Sequence, residues 1–263
     1  MPADLRISEL GEVTTPLTTD VLPIVSGGAT KKITTRNLAR PGEAGWIDAT
    51  DETWTYASAT TFTVPTDLTA LFPIGAKIRL KQGGAFKYFS VVAAGYGAPN
   101  TTVVVTGGSI YSLANAAITD NAYSYVATPQ GFPGFFNYVA VWSAVGGTPP
   151  AIGNGTLTGR FRVIGGVCTY TWKLIFGSTS TYGVGNSWWT VTLPLNSSND
   201  FVASGVASHP SGGPYAFGFG QGGVLGDTGL WYPTSAGGGL VVQGTPATCV
   251  AGDTLRLSGE YLI

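Results

Sequence analysis

Acid–base chemistry needs a titratable group held beside the reacting atom, and glycoside cleavage needs two carboxyl groups flanking the scissile bond. Residues 129–263 of this chain offer four acidic residues, Asp200, Asp227, Asp253 and Glu260, scattered along the stretch. Asp227 in Gly226-Asp227-Thr228-Gly229 and Asp253 in Ala251-Gly252-Asp253-Thr254 read as turn residues that cap backbone groups. His209 is the single histidine, and Ser208 and Ser211 beside it are the nearest hydroxyls for a nucleophile, but no Gly-x-Ser-x-Gly elbow is present. Ile152-Gly153-Asn154-Gly155-Thr156 and Gly218-Phe219-Gly220-Gln221-Gly222-Gly223 are glycine-rich without a following Lys-Ser/Thr, so neither reads as a phosphate loop. Cys168 and Cys249 lie 81 positions apart with no CxxC spacing, which predicts two buried thiols, with a disulfide between them as the alternative, and no metal set. The expected chemistry is therefore recognition without turnover: no catalytic residue, no cofactor and no metal.

Aromatic density carries the recognition signal. Trp188, Trp189, Tyr215, Phe217, Phe219, Trp231 and Tyr232 stand among glycines, and rings of this kind bring large contact area at low entropy cost. Sugar rings stack on such planes while neutral amides and hydroxyls read their OH groups. Tyr215, Phe217, Trp231, Tyr232 and His209 are the candidate receptor contacts, expected on loops beside glycine runs such as Gly212-Gly213. For the adjacent pair Trp188 and Trp189, strand geometry requires one ring on each side. The alternating Tyr215, Phe217 and Phe219 fit a buried strand face as well as a binding ledge. Asn100, Asn154 and Asn196 match the N-x-S/T sequon, a motif frequent by chance.

The elements that must position these residues are strands. Only 27 of 263 residues are charged while 39 are glycine, against usual shares of about a quarter and about 7%. Glycine costs about 0.8–1 kcal/mol relative to alanine inside a helix, which argues against long helices. Hydrophobic residues still make up 44%, so the low charge does not predict disorder. A net charge of -1 gives no basis for gripping a phosphate backbone, and nucleic acid is set aside as a partner. The start Met-Pro-Ala-Asp-Leu-Arg lacks the layout of a signal peptide and no apolar run approaches a spanning helix, so no membrane insertion is expected.

Charge marks the boundaries. Residues 1–45 carry five basic and five acidic residues, whereas 129–263 carry four of each over three times the length. Within 1–45, Val21–Val25 and Lys32–Thr34 flank a glycine turn and predict a hairpin, followed by a short helix over Thr34–Ala39. A unit this small cannot bury enough apolar surface to stand alone. Residues 46–130 read as a compact barrel or sandwich: Thr53–Tyr56, Thr61–Val64, Lys77–Lys81, Lys87–Val92 and Thr101–Val105 are strands, and Ser112–Ile118 is a helical turn. Ile78 and Leu80 alternate with Lys77, Arg79 and Lys81, the period of a half-buried strand. After the connector Pro129–Gly134, residues 131–263 predict a β-sandwich or jelly roll with strands at Tyr138–Ser143, Gly159–Val163, Val167–Phe176, Trp188–Leu193, Phe201–Ala207, Leu240–Val242 and Asp253–Tyr261. The fold class expected is all-β, an N-terminal segment followed by two small β modules.

Asp4–Leu10, Thr14–Val25 and Thr30–Thr34 together resemble the leader of bacteriophage tail fibres and tail spikes. Glu52–Val64, Gly75–Leu80 and Leu113–Ile118 look like a β module of phage structural proteins. Gly153–Phe161 and Leu255–Tyr261 are similar to terminal receptor-binding modules of such fibres. The resemblance implies a homotrimeric virion protein, made in the host cytoplasm without a signal peptide. Its N-terminal segment would attach to tail or baseplate proteins, with Leu5, Ile7, Leu10, Leu22, Ile24 and Val25 as the contacts. Its C-terminal module would bind a host surface glycan or protein. No long β-helix body and no carboxylate pair match the enzymatic tail spikes, so depolymerase activity is not carried over. Two alternatives stay open: a baseplate or fibre-network component that meets only virion proteins, and a small polysaccharide depolymerase.

Overall fold

The computed structural model describes residues 21–26, 29–34, 45–184, 188–198, 202–209, 213–220, 228–232 and 249–263. The fold is all-β, with three antiparallel sheets and no α-helix among the described residues. β1 (Val21–Ser26) and β2 (Ala29–Thr34) form a hairpin that pairs with neither larger sheet. Leu5, Ile7, Leu10 and the expected helix over Thr34–Ala39 lie outside the described residues, β2's last residue apart.

Seven strands form the second sheet: β3 (Ile47–Asp48), β4 (Thr55–Ser58), β5 (Thr61–Pro65), β6 (Lys77–Gln82), β7 (Ala85–Gly97), β8 (Asn100–Thr106) and β9 (Thr119–Ser124). Their spatial order is β3-β9-β6-β7-β8-β5-β4. The β6–β7 turn is Gly83-Gly84 with φ of 60° and 83°, the doubly positive backbone of a two-residue hairpin turn that glycine adopts without strain.

Nine strands form the third: β10 (Phe136–Tyr138), β11 (Trp142–Val145), β12 (Thr156–Ile164), β13 (Val167–Ile175), β14 (Trp188–Thr192), β15 (Val202–His209), β16 (Gly213–Gly220), β17 (Thr228–Tyr232) and β18 (Thr254–Leu262). Their order is β10-β12-β13-β18-β15-β16-β17-β14-β11.

In both large sheets the two edge strands are consecutive in the chain. A flat nine-stranded sheet would hold its edges about 38 Å apart at 4.8 Å per strand, yet the link from Tyr138 to Trp142 reaches at most about 14 Å. The sheet must therefore roll until its edges meet. An even number of antiparallel steps separates β10 from β11, so they run the same way and act as one strand bent from one edge to the other, the corner device of packed sheets. β3 and β4 close the seven-stranded sheet in the same fashion.

Each roll encloses a core. Trp54, Phe62, Val64, Ile78, Leu80, Phe89, Val91, Val103 and Val105 fill the first, with Trp54 stacked on Phe62 at 4.5 Å and 10°. Phe161, Tyr170, Trp172, Leu174, Leu255, Leu257, Trp142 and Trp189 fill the second. There Trp142 from the β11 edge meets Phe176, just past β13, at 5.3 Å. The strict alternation of buried and open residues along β12 and β13 is what a period-two pattern dictates for a sheet with one covered face.

Three expectations need correction. Ser112–Ile118 forms no helical turn, because its backbone groups are taken by tertiary bonds. Ala114 N–H donates to Gln82 Oε1 at 3.0 Å, Gln82 Nε2 donates to the Ala114 and Ala116 carbonyls, and Leu113 N–H donates to the Ala59 carbonyl. The single strand expected over Tyr138–Ser143 is two strands that border opposite edges. Lys77, expected on the open face of a half-buried strand, is 2% exposed. The expected Leu240–Val242 strand lies outside the described residues.

Lys77 is buried because the two rolls are joined across it. Its Nζ donates to the Val163 carbonyl on β12 and lies 5.2 Å from the Phe132 ring centroid. Trp46 Nε1 donates to the Gln130 carbonyl at 2.8 Å, and Ser109 N–H donates to the Asn137 carbonyl at 2.7 Å. A Cβ on Gly75 would come within 2.5 Å of Gly165 N, so the backbones approach as closely as glycine permits.

Candidate functional site

The aromatic candidates sit in strands, not loops. His209 ends β15, Tyr215 and Phe217 are in β16, and Trp231 and Tyr232 close β17. Gly213, from the run that suggested a loop, is itself the first residue of β16. For these five residues the structure describes the backbone alone. Its register is nonetheless informative. Tyr215 pairs with Ala207, Phe217 with Gly205, and His209 with Gly213.

Two neighbouring rows run through β17. Phe136, Phe161, Tyr170, Gly259, Ala203, Phe219 and Trp231 are successive cross-strand partners. Phe136, Phe161 and Tyr170 in that row are buried. Asn137, Arg160, Thr171, Ser258, Ser204, Gly218 and Tyr232 form the next row, whose Asn137, Arg160, Thr171 and Ser258 are exposed. Trp189 is fully buried, edge-on to Trp142 at 5.1 Å, which answers the question of which of the Trp188–Trp189 pair faces the core.

The attachment candidates Leu22, Ile24 and Val25 lie on β1, paired with Ile33, Lys31 and Thr30. Val21 and Leu22 are 52% and 42% exposed.

Of the groups that suggested acid–base chemistry, Asp253, Glu260, Ser208 and His209 lie among the described residues. Asp253 is buried, and its Oδ2 accepts the Val250 N–H at 2.7 Å, the turn-capping role read from its glycine context. Glu260 is exposed on β18. Asp200, Asp227 and Ser211 lie outside the described residues. Asn154 ties its turn to the distant one at Ser178 and Thr179, with Oδ1 accepting the Thr179 N–H at 2.9 Å and Nδ2 donating to Ser178 Oγ.

Cys168 and Cys249 are not joined in a disulfide. Burial pushes the Cys168 thiol up to about 11 and the Cys249 thiol up to about 12, so neither supplies a thiolate nucleophile near neutrality. Burial also raises Tyr138, Tyr170 and Tyr261 above the usual phenol range. Lys77 is lowered to about 8 by burial alone. It serves the joint between the rolls, since its ammonium is already spent on Val163 and Ser90.

A cationic face that none of the sequence motifs marks lies on the outer side of β12, β13 and β18. Arg160, Arg162, Lys173 and Arg256 are all the basic residues of 129–263, and every one lies on that face. The signal was available in the Arg160-Phe161-Arg162 alternation and its counterparts on β13 and β18, but the strand order that makes these three strands neighbours was not. No helix of the described residues is long and apolar enough to cross a membrane. Compared with protein-family models, with curated proteins and with solved structures, the chain finds no match in any of the three.

Proposed function

We propose that the chain is a phage virion tail-fibre adhesin, a homotrimer that attaches to tail or baseplate proteins by its N-terminal segment and binds a host surface receptor, a glycan, through its nine-stranded module. The observation that carries this reading is the β1–β2 hairpin. It forms a sheet of its own and leaves Val21 and Leu22 open. A two-stranded hairpin is marginal in water without a packing partner, so an element of this kind calls for a surface to dock on. The leader resemblance of the same residues supplies what that surface is. The contacts that Lys77, Trp46 and Ser109 make across the joint between the two rolls support the reading as well, because an adhesin must carry load from its attachment end to its binding end. Binding is proposed without turnover, and three linked copies strengthen it by effective concentration.

The test is assembly. Full-length protein and a Leu22→Asp/Ile24→Asp variant are mixed with fibreless particles, and attachment and host adsorption are scored. The variant should keep the mass of a trimer and fail to attach. A variant that restores infectivity as wild type does removes the attachment role from this hairpin.

A further inference from the structure

We infer that the outer face of β12, β13 and β18 is a binding face for an acidic polysaccharide. The inference rests on the adhesin reading for the source of the ligand and adds its chemical class. Register assigns the face row by row. Thr158, Lys173 and Arg256 form one row, Arg160, Thr171 and Ser258 the next, and Arg162, Thr169 and Glu260 the third. At about 4.8 Å between strands and about 6.8 Å between alternate residues, the four cations occupy a patch of about 10 by 14 Å. Arg160, Arg162 and Arg256 are exposed and Lys173 half-buried.

Two features make this more than an ordinary polar face. Lys173 and Arg256 are direct cross-strand partners, an arrangement of like charges that works against the sheet and that an anion bound between them would relieve. The strands beyond β18 in the same sheet, β15, β16 and β17, contain no lysine or arginine at all, so cation is concentrated on one third of the sheet. Among the described residues the ion pair formed is Lys81 with Asp120, in the seven-stranded sheet. On the face itself, Arg162 lies 5.2 Å from the Phe135 ring centroid, and Glu260 is the one carboxylate.

The chemistry favours an acidic saccharide over a nucleic acid. Hydroxyls of Thr158, Thr169, Thr171 and Ser258 alternate with the cations, so donors for a charged group and partners for sugar hydroxyls are interleaved. Arginine pairs with a carboxylate through two parallel hydrogen bonds. A dense phosphate backbone would meet Glu260 in the same patch and a chain of net charge -1.

The probes are alginate as a polyuronate, dextran as a neutral glycan, and duplex DNA, each titrated against the full-length protein. Alginate should bind, dextran should not, and raising ionic strength from about 0.1 to about 1 M should weaken alginate binding as the screening length falls from about 10 to about 3 Å. Arg160→Gln/Arg162→Gln/Arg256→Gln should cut alginate affinity by about tenfold or more while the melting temperature holds. Glu260→Gln, which removes the one opposing charge, should tighten it. Alginate bound no better than dextran, variants that bind as wild type does, or DNA bound more tightly than alginate each overturn the assignment. Blocking of virion adsorption by the purified protein separates the two readings. Protein that blocks adsorption but ignores alginate overturns the acidic-glycan face alone, and protein that binds alginate without blocking overturns the adhesin reading alone.

Discussion

Lys77 Nζ donates a hydrogen bond to the Val163 carbonyl, so a buried ammonium on β6 ties the seven-stranded roll to β12 of the nine-stranded one. The lysine is held by neutral oxygens, those of Val163 and Ser90, and by the Phe132 ring. Desolvation therefore works against the charged form unopposed by a carboxylate, which is why its pKa falls to about 8 from an ordinary 10.5.

That shift has a definite sign in stability. Between pH 8 and 10.5 the unfolded chain still binds the proton that folded Lys77 has released, so the lysine's contribution to stability rises with pH through that window. Below pH 8 the full desolvation cost is present; above 10.5 it is gone. Urea unfolding of wild type and Lys77→Met at several pH values isolates the effect. Wild type should gain on the variant by up to about 3 kcal/mol from pH 7 to 10.5. A difference that stays flat across the window means the ammonium is solvated.

The same joint can be tested through its closest backbone approach. Gly75 has φ of +87°, and an added Cβ would sit 2.5 Å from Gly165 N. Gly83 has φ of +60° with nothing within 4 Å of its Cβ position. Alanine at either position suffers the left-handed strain of about 1–2 kcal/mol, but only Gly75→Ala also forces two backbones apart. Gly75→Ala should therefore melt well below Gly83→Ala, by the equivalent of about 1–3 kcal/mol. Equal melting temperatures would mean that the joint yields freely.

Much of the fold was legible because its signals are local. The alternations in β6, β12 and β13 mark strands whatever they pair with, and Gly83-Gly84 marks its own turn. What was not legible depends on partners distant in the chain. Gln82 unwinds the helical turn expected 30 residues away, Lys77 is buried by Phe132 and Val163, and one strand becomes β10 and β11 because a nine-stranded sheet must roll. The candidate site divides in the same way. Aromatic composition could be read directly, whereas the cationic face exists only once β13 lies between β12 and β18.

A second pH effect runs in the opposite direction and belongs to the core of the nine-stranded roll. Tyr170 and Tyr261 rings lie 5.6 Å apart, and burial holds both phenols and the Cys168 thiol in their protonated forms. Groups with raised folded pKa values stabilise fully below their unfolded values and lose that contribution as pH rises through the folded ones. For Cys168 the window is pH 9 to about 11, and the tyrosines add to the loss above about pH 10. The protein should thus unfold at alkaline pH with tyrosinate absorbance appearing as the core opens. Cys168→Ala should shallow the loss between pH 9 and 11, and an unchanged slope would place that thiol in contact with water.

The last test separates two adjacent residues. Trp231 shares a register row with buried Phe136, Phe161 and Tyr170, while Tyr232 shares one with exposed Asn137, Arg160, Thr171 and Ser258. Rows of directly opposed residues keep to one face of a pleated sheet. Trp231→Ala is accordingly expected to cost about 3–5 kcal/mol of stability, as truncation of a large ring does in the row of Phe136, Phe161 and Tyr170. Tyr232→Ala should melt close to wild type. As a receptor contact it should lower host-cell binding by about 2 kcal/mol per site, a roughly thirtyfold loss that three linked copies amplify. If instead Trp231→Ala melts normally and loses binding while Tyr232→Ala binds normally, the receptor contact lies in the tryptophan's row and the assignment of faces across β16 and β17 is reversed.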